Sequence, residues 1–442
     1  MIQRMVRLFG ALIVIACLPW CDVARGDGGV MSGDPVEDAA RREFSSRMGK
    51  LQDAGDWNGL LENGRQWQKS HPKDVNGWFT EARGAYFLGD VATAITAWEK
   101  SKEIEPAMAS NPESWLVEAR QVRVNFPNLK LQPLVLEYNE ASKEGHIWVE
   151  KGRAVLNAEE YDEIERVAAD LQKTNAARAS ARPHLASFFA GITSAKSDFE
   201  AQKKQFEAWR EAKPTSILAR LAQITMWTDA AWEARGTGFG DTITPEMSKR
   251  MDANLEQAAK HLAELPESAQ QTPLTFERMM NWGVLTVGRK FLDEVYYRAI
   301  RKFPDYYPFY EARAYHLLPR WFGEPGEWEL FLENRANQIG GENGDIFYAR
   351  VLSASIMRYP NIFEDTEANY ARVKRGLVAL QKRRPDSTFV SNQLLRTAVL
   401  ANDWKTAQGV LLGPNGHRID TYWWTQKTIA QWAPLRMKLL SQ

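Results

Sequence analysis

The side chains most often recruited for chemistry are thinly spread along this sequence. Six histidines, His71, His146, His184, His261, His316 and His417, each stand more than 30 residues from the next. None has the i, i+4 partner with which one helix face offers two imidazoles to a zinc ion, so packed or surface roles are expected of all six. Ser70-His71-Pro72-Lys73 matches Ser-x-x-Lys in form. That nucleophile needs a helix start to aim serine and lysine together, whereas Pro72 reads as the close of a helix. No Gly-x-Ser-x-Gly occurs, so the strained turn that exposes a hydrolase serine is missing. Gly236-Thr237-Gly238-Phe239-Gly240-Asp241 has the glycine density of a phosphate-cradling loop. Such a loop follows a strand and opens a helix. This one follows a long helical pattern ending at Arg235, and a helix cap with a connector is the better expectation. No cofactor, metal or catalytic group is assigned, and the expectation leans against an enzyme.

Two kinds of side chain are concentrated enough to bind something. Arg372, Lys374, Arg375, Lys382, Arg383 and Arg384 gather near Pro385. The helix dipole favours cations near a C-terminus, so a solvated helix end is expected, with contact to a membrane surface or anionic polymer as the functional alternative. Tryptophan is the other type, at 17 residues. Trp57, Trp67, Trp78 and Trp98 fall on apolar stripes and are expected in cores. Trp321, Trp328, Trp423 and Trp424 lie beside Gly and Pro breakers or in short connectors, where aromatic platforms could stack on a sugar or hold a peptide. Between Leu318 and Glu329 two prolines and two glycines hold the chain out of helix. The candidate contact surface there is Arg320, Trp321, Phe322, Glu324, Glu327 and Trp328, which joins large apolar area to charge as binding hot spots do. The alternative is that the loop folds back, with Trp321 as a plug and Arg320 paired to Glu324.

The elements that must carry these residues show an internal repeat. Gly55-Asp56-Trp57 recurs as Gly89-Asp90-Val91, and His71-Pro72 answers Glu105-Pro106, both at an offset of 34. Trp57, Leu60, Leu61, Gly64 and Trp67 lie at i, i+3, i+4, i+7 and i+10, as do Val91, Ala94, Ile95, Trp98 and Ser101. That spacing is one apolar stripe of a helix, used twice. Phe44, Met48 and Leu51 align in the same way with Trp78, Ala82 and Ala85 in the preceding helices. Beyond an interruption near Pro127, helical periods alternate with breakers to the end of the chain, and alternating β-branched runs are essentially missing.

Trp78, Gly89, Ala94, Ile95, Trp98 and Pro106 stand where the tetratricopeptide repeat places its large aromatic, turn glycine, small packing residue, apolar pair and closing proline. Glu81 and Ala82 depart from the usual Leu-Gly, and Ser101 from an alanine. The first region therefore resembles that repeat, with later units degenerate at Pro304 and Pro385. From Glu144 to Trp424 the chain also resembles an uncharacterised bacterial family of tetratricopeptide-like helices. The carrying segments are Pro214–Arg220, Ala231-Trp232-Glu233-Ala234-Arg235-Gly236, Tyr315–Gly323 and Asp345–Arg350. The resemblance implies an all-α superhelix, a helical-repeat solenoid of about 16–18 helices with almost no sheet, and offers no activity to carry over.

Lys+Arg and Asp+Glu both number 56, so the broad basic footprint of a nucleic-acid binder is absent. Arg4 and Arg7 precede an uncharged run from Leu8 to Cys21 that is too short to cross a bilayer and reads as a secretory signal. Two exits fit: cleavage after Ala24-Arg25-Gly26, or Val14-Ile15-Ala16-Cys17, which resembles a lipobox and implies lipidation of Cys17. Both cysteines lie in this segment. The expected organisation is a signal over 1–26, repeats over 36–126 and a degenerate helical-repeat region over 134–442. The expected function is an exported, non-catalytic scaffold holding a protein or peptide in the cell envelope, free or lipid-anchored. The alternative is an all-α glycan-binding or glycan-active protein using exposed tryptophans and Glu324, Glu327 and Glu329; a glycosidase would need two carboxyls about 5–10 Å apart.

Overall fold

The structure, a computed structural model, describes residues 34–106, 112–127, 131–137, 140–174, 182–194, 199–236, 238, 240–420, 422–424 and 429–441. Residues 1–26, read above as a secretory signal, lie outside the described residues, and Cys17 with them. Among those described there are 21 α-helices and two three-residue strands, Val135–Glu137 and Arg418–Asp420. The all-α expectation holds, with more helices than the breakers announced. The chain divides into two compact units, one running to Leu136 and resuming at Gln426, the other from Glu137 to Thr425. The last helix of the chain, Ile429–Ser441, belongs to the first unit, where it packs on Pro112–Asn125. Sequence periodicity carries no sign of such a return.

The first unit opens with α1 (Pro35–Asp53), α2 (Trp57–Ser70), α3 (Val75–Leu88), α4 (Val91–Ile104) and α5 (Pro112–Asn125). The two copies of the repeat are built by the same local contacts. Asp56 and Asp90 cap α2 and α4, accepting from the Gly59 and Thr93 amides at 2.8 and 3.0 Å. Each satisfies an amide that the first turn leaves without a partner. Gly89 takes φ +83°, a left-handed conformation cheap only without a Cβ. Its amide donates to Tyr86 O and that of Asp90 to Ala85 O, the paired bonds that end a helix and reverse it. The stripes face inward at eight of their ten positions: Trp57, Leu60, Gly64, Trp67, Ala94, Ile95, Trp98 and Ser101 are buried, while Leu61 and Val91 are only half-buried. Trp98 packs against Tyr86 at 5.3 Å and Trp67 against Phe44 at 4.6 Å. Trp78 is only half-buried, with its indole N–H donating to Pro72 O.

The second unit is a succession of helix hairpins. They are α6 (Glu140–Asn157) with α7 (Tyr161–Thr174), α8 (His184–Thr193) with α9 (Phe199–Ala212), and α10 (Ile217–Arg235) with α11 (Pro245–Ala263). Then follow α12 (Pro273–Thr286) with α13 (Arg289–Lys302), and α14 (Tyr307–His316) with α15 (Glu327–Ile339). Next α16 (Gly341–Ile356) leads through the short α17 (Ile362–Asp365) to α18 (Tyr370–Arg383), and α19 (Thr388–Leu400) pairs with α20 (Trp404–Leu411). Between consecutive hairpins the first helices touch in order from α6 to α16, while α7, α9, α11, α13, α15 and α18 each pack on the first helix of the next hairpin. Gln393 on α19 donates to Ala349 O and Ser353 Oγ of α16. Helix α19 in turn touches α6, so the row of inner helices returns on itself as a ring.

The inner helices α14 and α16 are each accessible along a single stripe. On α16 the accessible stripe is Arg350, Ser353, Ala354 and Met357; on α14 it is Tyr307, Pro308, Glu311, Ala312 and Tyr315. The core lies between the inner and outer layers, for instance Phe188, Phe206, Trp209, Leu221 and Ile224 around α8 to α10.

Candidate functional site

The loop singled out in the sequence is the connection from α14 to α15, and it is tightly built. The amide of Trp321 donates to Leu318 O at 2.8 Å and that of Phe322 to His316 O at 3.1 Å. Arg289, at the start of α13, reaches Phe322 O at 3.2 Å and grips the Glu327 carboxylate with two guanidinium nitrogens. The Glu324 amide donates to that same carboxylate at 3.0 Å. A Cβ added at Gly323 would meet Leu317 O at 1.9 Å; the turn closes only because none is there. Burial pulls the Glu327 carboxyl upward, but Arg289 and the Glu324 amide outweigh it and hold the group below the usual carboxylate range.

The loop brings Trp321 to α10, beyond the neighbouring α12. Trp321 meets Trp232 edge-on at 5.7 Å and 83°, and Tyr315 at 5.6 Å. The guanidiniums of Arg235 and Arg320 lie over its ring at 5.2 and 5.7 Å. Arg235 also donates to Gly236 O and Gly238 O, and Trp232 donates to Asn281 of α12 at 3.1 Å. Arg358 covers Tyr315 at 4.6 Å. The result is a ladder of alternating cations and aromatic rings at the C-terminal ends of α10, α14 and α16. Each such contact is worth about 0.5–2 kcal/mol, depending on desolvation.

The structure sorts the six candidate residues. Arg320 and Glu324 are exposed, and Trp321 and Phe322 half-buried, at one surface. Glu327 is tied to Arg289. Trp328 is 1% exposed and stacks near Tyr359 on the first turn of α15; it is core and offers nothing to a partner. Trp423 and Trp424 are core as well. Trp321 shares its ring with two cations, so it is not a bare platform for a sugar.

Other expectations resolve locally. Most of the basic cluster is neutralised: Arg372 and Arg375 share Asp345 at 2.9 and 2.7 Å, Lys374 pairs with Asp403, and Arg383 with Glu342. It is not an open anionic-polymer surface. Gly236 caps α10, as expected of a connector; Thr237 and Phe239 lie outside the described residues. Ser70 ends α2, and its hydroxyl lies 2.8 Å from His71 Nδ1 and donates to Trp67 O at 3.2 Å, while His71 pairs with Glu37 at 3.0 Å. That chain of contacts ties α1 to the end of α2.

Sequence reasoning did not join Trp232 and Arg235 to the loop. Both stand in Ala231–Gly236, one of the segments on which the family resemblance rested, and Tyr315 to Gly323 is another. The two segments meet in space. One turn before Trp232, Asp229 is reached by solvent, yet enclosure by its neighbours pushes its carboxyl above the usual range, with Arg278 pulling it back.

Fold and site together define an all-α protein of stacked, tetratricopeptide-like hairpins with a fixed aromatic and cationic loop. Neither a family model nor a curated protein matches the chain, and the resemblance to an uncharacterised bacterial family gains no support from them. The crystal structure of yeast Tom70 aligns over 89% of this chain and 88% of that one, at 14% identity and a TM-score of 0.26. That likeness is too slight to carry an argument, and the fold rests on the hairpins themselves.

Proposed function

We propose that the protein is an exported helical-repeat scaffold that holds a protein or peptide partner. The observation that carries this is the α14–α15 connection, a braced insertion that presents Arg320, Trp321, Phe322 and Glu324 on a rigid array of helices. Loops fixed on rigid scaffolds are where recognition concentrates, and stacked helix pairs are suited to extended partners. Arg320, Glu324 and Arg358 are all exposed, so the surface offers charges of both signs around its aromatic rings, and charge complementarity would set which partner it takes. Export rests on Arg4, Arg7 and the run Leu8–Cys21, and a lipid anchor on Cys17.

The test uses a photo-crosslinking amino acid at position 324, in cells, with and without Arg320→Glu. The expected outcome is a discrete crosslinked species that the charge reversal reduces at least fivefold, with the helical spectrum and melting temperature unchanged. A crosslink indifferent to Arg320 would defeat the assignment of this surface.

A further inference from the structure

A second feature, independent of the protein-contact reading, lies among α9, α10 and α11: a cavity of about 940 Å³. Arg210 of α9 and Arg220 of α10 converge there on one oxygen of Glu264, at 2.6 and 3.0 Å. Glu264 caps the C-terminal end of α11, where the helix dipole disfavours a negative charge. Its side chain is 45% exposed, against 33% and 19% for the two arginines. An internal carboxylate thus fills a two-arginine seat from the solvent side, on a mount that its own helix opposes.

The rest of the lining is unlike a plain anion site. Met226 and Trp227 give an apolar wall, with Trp227 abutted by Phe199 at 4.9 Å and 66°. Asn254 and Gln257 contribute side-chain amides, which both donate and accept, and Gln223, buried behind them, accepts from Arg210 at 3.5 Å. Lys203, His261, Glu207 and Glu211 also line the cavity, so a bound carboxylate is held at the arginines and away from the two glutamates. Paired guanidinium forks match a carboxylate, an aromatic wall matches the apolar face of a sugar ring, and amides match hydroxyls. We infer that the cavity binds an acidic saccharide, with a uronic-acid carboxylate displacing Glu264 from Arg210 and Arg220 and the ring lying on Trp227. An acidic peptide would use the arginines but has less need of the amide fringe.

Calorimetry on the full chain tests this with galacturonate, mannuronate and glucuronate trisaccharides, their neutral methyl esters, and tetraglutamate. At least one uronate should bind, and its methyl ester at least tenfold more weakly. Arg220→Ala and the more exposed Arg210→Gln should each cost tenfold or more, and Trp227→Ala severalfold. Glu264→Gln should tighten binding severalfold at an unchanged melting temperature, because it removes the internal competitor. Absence of uronate binding by both the natural chain and Glu264→Gln overturns the inference, as does equal binding of the esters. Tetraglutamate bound as tightly, and indifferent to Trp227→Ala, would assign the cavity to acidic peptides instead.

Discussion

His316 shows how one side chain can set the acid limit of this fold. It ends α14 beneath the loop at 3% exposure, and burial, aided by the nearby Arg313 cation, lowers its pKa from 6.5 to about 4. The unfolded chain takes up a proton near pH 6.5 while the folded chain stays neutral until about pH 4, so the unfolded state binds more protons across that window. Stability should therefore fall as the pH drops from 6.5 towards 4, by an amount on the order of 3 kcal/mol. His316→Gln should flatten that slope, read as the urea midpoint at pH 7 against pH 5; an equal slope in both proteins would show that imidazole titration is not the cause. Trp98 belongs to the same scale. It is 2% exposed against Tyr86, and Trp98→Ala should cost about 3–5 kcal/mol, the usual range for emptying a large aromatic from a core. An unchanged melting temperature would place that side chain outside the core.

Among the elements, the hairpin turns repeat one design that the sequence shows only in part. Gly55 and Gly89 are visible as turn glycines, yet Glu159 and Asn402 occupy the same position, with φ of 56° and 55°. The amides of Glu159 and Glu160 donate to Leu156 O and Val155 O, and those of Asn402 and Asp403 to Val399 O and Ala398 O, just as Gly89 and Asp90 bond to Tyr86 O and Ala85 O. Asp403 then caps α20 as Asp56 caps α2. A non-glycine at positive φ costs about 1–2 kcal/mol, so Glu159→Gly should stabilise the protein by about 1 kcal/mol, measured by chemical denaturation. A loss of stability would mean that the side chain does something the backbone does not show. The stripes and caps were legible because helix period and N-cap chemistry are local, as in Trp57 to Trp67. Trp328 was misplaced because its neighbours, Gly326 and Pro325, look like loop while its ring is held by Tyr359, 31 positions along the chain. Trp232 and Arg235 were missed for the same reason: nothing in their own segment signals that Trp321 will arrive.

For the 137–425 unit as a whole, the contact of α19 with α6 distinguishes a ring from an open row of hairpins. In an open array each unit leans only on its neighbours, so the end units open first. Here the first and last inner helices are neighbours too. Native-state hydrogen exchange should therefore find the slowest amides of α6 and α19 protected as strongly as those of α10 and α12. Faster exchange in α6 or α19 by several orders of magnitude would show that the closing contact carries no energy.

That closing contact also sets a clock on synthesis. The α6 helix leaves the ribosome early, and the face it will give to α19 has no intramolecular cover until that helix follows. About 230 residues separate Asn157 from Thr388, which at a translation rate of about 5–20 residues per second is roughly 10–50 s. For that interval the nascent chain carries an unfinished edge, and a holding chaperone that masks it would raise the yield of closed molecules without touching any contact in the finished one.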